Sequence, residues 1–438
     1  MGRGRFLTLA GSALLVLVAP PLYLMLDLAV VGRLGGEQLA ALAVGTLVLS
    51  MVSTQLTFLA YGTTARSARA FGAGDRAGAV REGLQASWIA IGAGLVIVVA
   101  GRLLAGPVMR ALVPDAAVAA EAAGWLRLAV FGVPLILLSM AGNGWMRGVQ
   151  ETRRPVIYVV AGLLVSAVLC VLLVHGLAGA PDLGLHGSAV ANLAGQGLTG
   201  LLFLRRLLVD VRRTPGPSGR RPVWAPDPAV IRAQLTMARD LILRSLGFQV
   251  CFVSAAAVAG RFGVAQVAAH QLVLQIWEFL SLLLDSLAIA AQQVVGAALG
   301  ARVFGVAKAN ARRATAVSVL AAAVLALALA AGAGLVPRIF TSDPAILDAA
   351  RTPWWFLVGM LPVAGVVFAL DGVLLGAGDA AFLRTATLAG ALLAFLPMIW
   401  LALIFDWGLT GIWAGLLLFM LTRMVAVTFR VRSGRWLR

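Results

Sequence analysis

Apolar residues run along this chain in long blocks and not in short alternating groups. The blocks are about 20 to 30 residues long, which at about 1.5 Å per residue is what a helix needs to cross a bilayer. Twelve such helices are predicted, over 7–31, 37–65, 83–105, 121–146, 155–176, 185–206, 234–259, 267–298, 311–335, 352–376, 382–405 and 408–430. A transmembrane barrel would instead show segments of about ten residues with apolar and polar positions alternating. Prolines fall inside several helices, at Pro20, Pro21, Pro134 and Pro362. Each removes a backbone donor, so interruptions are expected in the first, fourth and tenth helices.

The polar punctuation between the blocks occurs twice. Arg33-Leu34-Gly35 returns as Arg261-Phe262-Gly263, and Gln38 to Ala41 returns as Gln266 to Ala269. Gly72, Arg110, Asp115, Pro134 and Gly148 return as Gly300, Arg338, Asp343, Pro362 and Gly376, every pair 228 positions apart. Gly184 and Gly187 return as Gly408 and Gly411 at a spacing of 224. A spacing held over so long a stretch marks a duplicated unit. Each half has six helices, an even number, so both halves enter the membrane from the same side. The predicted architecture is an all-α integral membrane protein of twelve transmembrane helices, arranged as two pseudo-symmetric six-helix bundles with a cavity between them. The amino-terminal bundle is 1–206 and the carboxyl-terminal bundle 234–438. The linker 207–233 is rich in Pro, Arg and Gly, and is expected to lie on the cytoplasmic face without a fold of its own.

Composition agrees. Of 438 residues, 61% are hydrophobic and 12% charged, and the mean hydropathy is +0.96. So much apolar surface has only lipid as a solvent. The net charge of +17 would suit nucleic acid, but its placement argues otherwise. Of 35 basic residues, 28 lie at the two ends and in the even-numbered loops, and 7 lie on the other side (Arg33, Arg102, Arg110, Arg127, Arg261, Arg338 and Arg351). That bias predicts a multi-pass protein with both termini in the cytoplasm, its surplus charge meeting anionic lipid; the abundance of Arg over Lys and of Ala suggests a bacterial source and hence a bacterial inner membrane. Met1 to Arg5 reads as a short basic tail and not as a cleavable signal peptide. Cys170 and Cys251 fall inside spans and read as small buried residues, not as a disulfide or metal site.

No nucleotide-binding motif, zinc-ligand spacing or catalytic triad is present. The loops Gly72–Gly74 and Gly376–Gly378 lack the Lys-Ser/Thr of a phosphate loop and follow no strand. The chain is therefore read as no enzyme, with no cofactor, drawing its energy from an ion gradient.

Asp27 is the residue of most interest. It stands inside the first apolar block, about one and a half turns before Arg33. A carboxylate in a membrane span costs roughly 2.5–3.5 kcal/mol, so one that stays there invites a functional role. Apolar surroundings disfavour its charged form, whereas a cation arriving nearby favours it, and the two effects together make a proton exchanger. The blander reading is an interfacial aspartate in water or paired with Arg33. In the second half, Arg244 and Asp285 lie at similar depths, about 15 and 20 Å from the inner ends of their helices, so an ion pair is feasible; Asp371 is a third member of that cluster. Glu278 is seven residues before Asp285, on the same helical face, where it can meet a cationic passenger. Trp277, Trp354 and Trp355 offer aromatic faces, although tryptophan favours membrane interfaces in any case. Asn143, Asn192 and Gln196 either face the cavity of Asp27 or tie helices together. His270 is expected to be hydrogen-bonded at a helix end.

The stretches Pro20-Pro21 with Asp27, Val31-Gly32-Arg33-Leu34-Gly35, Ala70-Phe71-Gly72-Ala73-Gly74-Asp75, Arg147-Gly148-Val149-Gln150-Glu151-Thr152, Ala268-Ala269-His270-Gln271 and Gly376-Ala377-Gly378-Asp379 stand in this order along the chain. Together they resemble the multidrug and toxic compound extrusion (MATE) transporters, within them the DinF-like branch. The resemblance covers nearly the whole chain. It implies export of organic cations and other drug-like compounds in exchange for protons or sodium, with H+ or Na+ as the coupling ion and Asp27 as the coupling residue. In some relatives the fifth helix sets an Asn and an Asp against that aspartate; here Ser166 and Cys170 occupy those places, which weakens a sodium cage. A monomer is expected. The rival readings are a lipid-linked saccharide flippase of the same broad superfold, a membrane enzyme acting on lipids, and a subunit that transports nothing.

Overall fold

The computed structural model describes residues 3–213 and 224–437; the core of the expected linker, 214–223, lies outside them. In the first half the helices are α1 (Arg3–Val31), α2 (Gly36–Leu56), α3 (Phe58–Gly72), α4 (Arg76–Leu112), α5 (Ala116–Ala129), α6 (Val133–Gly148), α7 (Arg153–His175) and α8 (Leu185–Arg213). In the second they are α9 (Pro228–Ala259), α10 (Val264–Gly300), α11 (Phe304–Ala331), the short α12 (Val336–Phe340), α13 (Pro344–Gly376), α14 (Ala380–Ala389), α15 (Leu396–Ile404) and α16 (Gly408–Arg432). No strand occurs among the described residues. Taken across short breaks these make twelve helical passages. Eleven are long and apolar enough to cross a membrane. The twelfth, α8, is diluted by His186, Ser188, Asn192, Gln196 and two pairs of adjacent arginines. The chain is an all-α, multi-pass membrane protein.

Element bounds repeat with the sequence period. The α2–α3 pair begins at Gly36 and ends at Gly72; α10 begins at Val264 and ends at Gly300, both 228 further on. The repeated residues are the ones that start and stop helices. Asp115 and Asp343 are matching N-caps, their carboxylates accepting from the backbone N–H of Ala117 and of Ala345 at 2.8 Å. Gly35 and Gly263 hold φ of 149° and 114° ahead of α2 and α10, a region that disfavours a side chain. Capped ends extend past the apolar blocks. Hence α4 runs from Arg76 to Leu112 where hydropathy alone predicts 83–105.

Of the three interruptions expected at prolines, the one at Pro134 is present and the other two are not: α1 runs unbroken through Pro20 and Pro21, and α13 through Pro353 and Pro362. The breaks are a bend at Thr57, a 3₁₀ turn at Val130–Gly132 ahead of Pro134, and a π-helical stretch at Gly390–Phe395 ahead of Pro397. A proline deletes one donor and crowds one carbonyl, which a long helix can absorb without ending.

Two compact units result. One is Leu15–Thr236; the other is Met1–Leu14 with Met237–Arg438. The stretch expected to lie free on the cytoplasmic face is helical to Arg213 and again from Pro228, and what precedes α9 is fastened to α4 within the first of these units. Gln85 donates to Ala225 O at 3.0 Å and accepts from Asp227 N at 2.9 Å, Trp88 donates to Trp224 O, and Arg81 pairs with Asp227. Farther on, Gln234 donates to the Glu82 carboxylate at 2.7 Å, and Arg66 holds the same carboxylate.

Helix contacts are made by small residues, as lipid-immersed helices require. Trp125, wholly buried, lies on Gly45 of α2. In the second unit α10 and α13 meet closely: a Cβ on Gly372 would sit 2.1 Å from the Ala288 carbonyl oxygen. Gly372→Val should therefore lower the melting temperature of the purified protein, since overpacking costs roughly 1–3 kcal/mol or more. Gly92→Val, where an added Cβ meets nothing, should not. Equal melting of the two variants would contradict the close approach.

Candidate functional site

Asp27 is 1% exposed, four residues from the end of α1. Two further helices bond its carboxylate, and a third reaches it through one of them. Ser188 of α8 donates its hydroxyl to Oδ2 at 2.8 Å, and Cys170 of α7 donates its thiol to Oδ1 at 3.3 Å. The Ser188 oxygen in turn accepts from the Trp125 indole N–H of α5 at 3.3 Å. Ser188, Cys170 and Trp125 are each fully buried. The Tyr23 hydroxyl, one turn earlier on α1, is buried beside Cys170. The sequence places this group well. Ser188 follows Gly187, whose Cβ would strike the Leu173 carbonyl, so α8 lies against α7 and delivers the hydroxyl. No cationic side chain pairs with Asp27 among the described residues, which removes the alternative of an Asp27–Arg33 pair. A buried carboxylate held by neutral donors can keep a proton or exchange it for another cation.

The second unit holds a different arrangement. Arg244 of α9 donates to Asp371 Oδ2 at 2.6 Å, and Arg423 of α16 donates to the same oxygen. The Arg423 guanidinium lies over the rings of Phe248 at 4.6 Å and Phe419 at 5.6 Å. Two arginines thus share one buried carboxylate, inside a small aromatic sleeve. The expected partner of Arg244 was Asp285; the structure gives it Asp371. Depth along two helices sets height but not the face on which each residue stands, and α13 supplies the facing acid. Arg423 was not singled out in the sequence, although a lone arginine in the apolar run 408–429 is a signal of its own.

A protein-family model, MatE, matches residues 13–172 and 241–401, one segment in each half. The chain belongs to the MatE family. It is 30% identical to DNA damage-inducible protein F of Escherichia coli K12, over 98% of this chain and 95% of that protein. It is also 30% identical to Protein DETOXIFICATION 44, chloroplastic, of Arabidopsis thaliana, over 98% and 82% respectively. A probable multidrug resistance protein NorM of Bradyrhizobium diazoefficiens is 28% identical over 93% of this chain and 89% of that one. Among solved structures, MATE in the bent conformation superposes with a TM-score of 0.87 at 21% identity, covering 98% of this chain and 94% of that one. A MOP superfamily transporter from Pyrococcus furiosus superposes at 0.86 with 20% identity, covering 99% and 96%. These two likenesses show the shared fold, a two-lobe helical bundle; the family match and the DinF relative show a MATE transporter of the DinF-like branch.

The remaining candidates of this MATE transporter are placed as follows. Ser166 is buried one turn from Cys170, but its hydroxyl lies against Gly195 of α8, where an added Cβ would come within 1.9 Å. It closes a helix crossing and does not bond Asp27. Asn143 is buried on α6 with its carbonyl oxygen unpartnered among the described residues; Asn192 and Gln196 are half-buried on α8. None of the three bonds Asp27. Asp285 is half-buried on α10, and Glu278 is exposed on the same helix. Of the tryptophans expected to offer faces, Trp277 packs edge-on against Phe368, and Trp354 is buried with its N–H donating to Leu329 O at 3.1 Å; only Trp355 is open. His270 is not hydrogen-bonded at a helix end. It is fully buried edge-on to Trp413, and neither ring nitrogen has a partner among the described residues. Ser188 and Trp125 are the site residues that sequence reasoning passed over. Both are uncharged, and nothing local separates a serine or tryptophan that meets an aspartate from one that packs.

Proposed function

We propose that this MATE transporter is a secondary active multidrug efflux antiporter. It exports organic cations or other drug-like compounds in exchange for protons, by alternating access, without a cofactor or a catalytic step. One copy of the chain carries the whole device, in a bacterial inner membrane with both termini in the cytoplasm, the orientation favoured by the charge bias. The observation that carries the proposal is the Asp27 carboxylate, buried and held, among the described residues, by a hydroxyl and a thiol. Such a group has two states of comparable standing, the neutral acid in a dry site and the carboxylate beside an incoming cation. The donor set favours protons over sodium. Sodium is a hard cation that prefers a cage of oxygens, and one of the two atoms bonded to Asp27 is sulfur.

The relatives support the class: a probable multidrug resistance protein of 28% identity covers most of this chain. The flippase reading would require cationic groups free at mid-membrane depth to meet a lipid phosphate there, and the two arginines at that depth in the second unit, Arg244 and Arg423, are both engaged by Asp371. Proteoliposomes loaded with a fluorescent organic cation provide the test. Drug movement should follow an imposed pH gradient and ignore an imposed sodium gradient. Movement driven by sodium alone, or by neither, would overturn the assignment.

A further inference from the structure

The second unit has a cleft at a place where its chain departs from the first unit's helical course. In the first half, α4 runs continuously through Leu104, Ala105, Gly106 and Pro107. At the equivalent positions 228 further on, Gly332, Ala333, Gly334 and Leu335 form a turn between α11 and α12. The break opens a cavity of about 260 Å³ lined in part by Gly334, Arg338, Leu347, Arg351, Trp354 and Trp355. Arg338 has an equivalent in Arg110, but Arg351 stands where the first half has buried Ala123. In the first unit the second guanidinium at the equivalent glycine, Gly106, is that of Arg127 and comes from a different helix position.

Its chemistry is that of a charged socket with an oily rim. Arg338 is exposed and holds no ion pair among the described residues; Arg351 meets Asp348 at 3.6 Å, with both side chains more than three-quarters in the open (79% and 77%). Around them Leu335, Ile339 and Phe340 are 67, 71 and 61% exposed, and Trp355 57%. Apolar side chains so displayed at the end of a membrane-crossing helix belong in acyl chains, and an indole beside them belongs at headgroup level. Guanidinium groups at that level match a phosphate, which they can grip with paired N–H donors. Counting passages from the amino terminus puts the cleft at the face opposite both termini, where only 7 of 35 basic residues lie. Two of those seven converge here.

We propose that this cleft binds the phosphate headgroup of an anionic phospholipid from the leaflet opposite the termini. Arg338 and Arg351 hold the phosphate, Trp355 packs on the glycerol region, and the acyl chains run along Leu335 and Ile339. The leaflet assignment rests on the orientation proposed above; the site itself does not.

The purified full-length protein, titrated with lipid and read by native mass spectrometry, tests this. Phosphatidylglycerol should bind in preference to phosphatidylcholine, and inorganic phosphate should not displace it. Arg338→Gln with Arg351→Gln should weaken phosphatidylglycerol binding by roughly tenfold or more, two interfacial charges being removed. Gly334→Leu keeps both arginines and should weaken it comparably by filling the cleft. An added Cβ at Gly334 meets no atom, so the fold tolerates the change. Drug efflux by each variant reports that it is folded. Undiminished phosphatidylglycerol binding in either variant, equal binding of the two lipids, or full displacement by inorganic phosphate would each overturn the proposal. The last would mark a site for the free anion.

Discussion

Asp27→Asn should yield a protein that inserts and melts like the parent but no longer exports against a gradient. The amide occupies the same space, and both neighbours can adapt to it: the Ser188 hydroxyl can rotate to donate or accept, and the Cys170 thiol can do the same weakly. The expected stability change is that of one exchanged hydrogen bond, about 0.5–1.5 kcal/mol. What the amide cannot do is release a proton. Coupled efflux should fall by roughly an order of magnitude or more, because the exchange runs through this one group. Passive binding of a neutral analogue should persist. Ser188→Ala tests the same chain of contacts from its other end. It leaves Asp27 without its shorter donor and the Trp125 N–H without an acceptor, so it should shift the pH dependence of efflux while keeping activity. Full coupled export by the Asp27→Asn variant in proteoliposomes would remove Asp27 from the mechanism.

Asp371→Leu is expected to be the most damaging single change in the second unit. Arg423 is 2% exposed at its side chain and Arg244 17%, and both rest on this carboxylate. Removing it leaves two guanidinium groups facing each other in a dry interior. Loss of one partner of a buried ion pair costs about 3–5 kcal/mol, which for a unit of this size lowers the melting temperature by roughly 6–20 °C. Adding Arg423→Met to the same protein should restore much of the loss, since the deeply buried cation is then gone and Arg244 can reach more polar surroundings. The test is thermal melting of the three purified proteins. A double variant no more stable than Asp371→Leu would show that the charges are not coupled.

How much of this was legible beforehand follows from what each signal depends on. Helix number and order were readable because a lipid-crossing helix must be apolar over its whole crossing length, and that property survives in one dimension. The duplication was readable because its carriers are caps and turns. Asp115 and Asp343 are repeated as they serve local backbone N–H groups, and Gly35 and Gly263 as each needs a φ that side chains resist. Asp27 stood out as a lone acid in an apolar run. Its partners did not: Ser188 lies 161 positions away and Cys170 lies 143 away, and neither has a chemistry that attracts notice in a membrane helix. Which of Asp285 and Asp371 holds Arg244 was not readable, for a related reason. Height in the membrane follows from counting, whereas azimuth depends on how α9, α13 and α16 pack.

The amino-acid sequence alone therefore determined the solvent of this protein, the number of its crossings, its twofold internal plan and the one acid most costly to leave in lipid. All of these are properties of single segments or of their order. The tertiary structure alone decided which neutral donors hold Asp27, that two arginines and not one converge on Asp371, that Trp277 and Trp354 are packing residues, and that a broken turn after α11 opens a cleft. These are contacts between distant segments, set by rotation and close approach of helices, and glycines such as Gly195 and Gly372 fix them only once the facing helix is known.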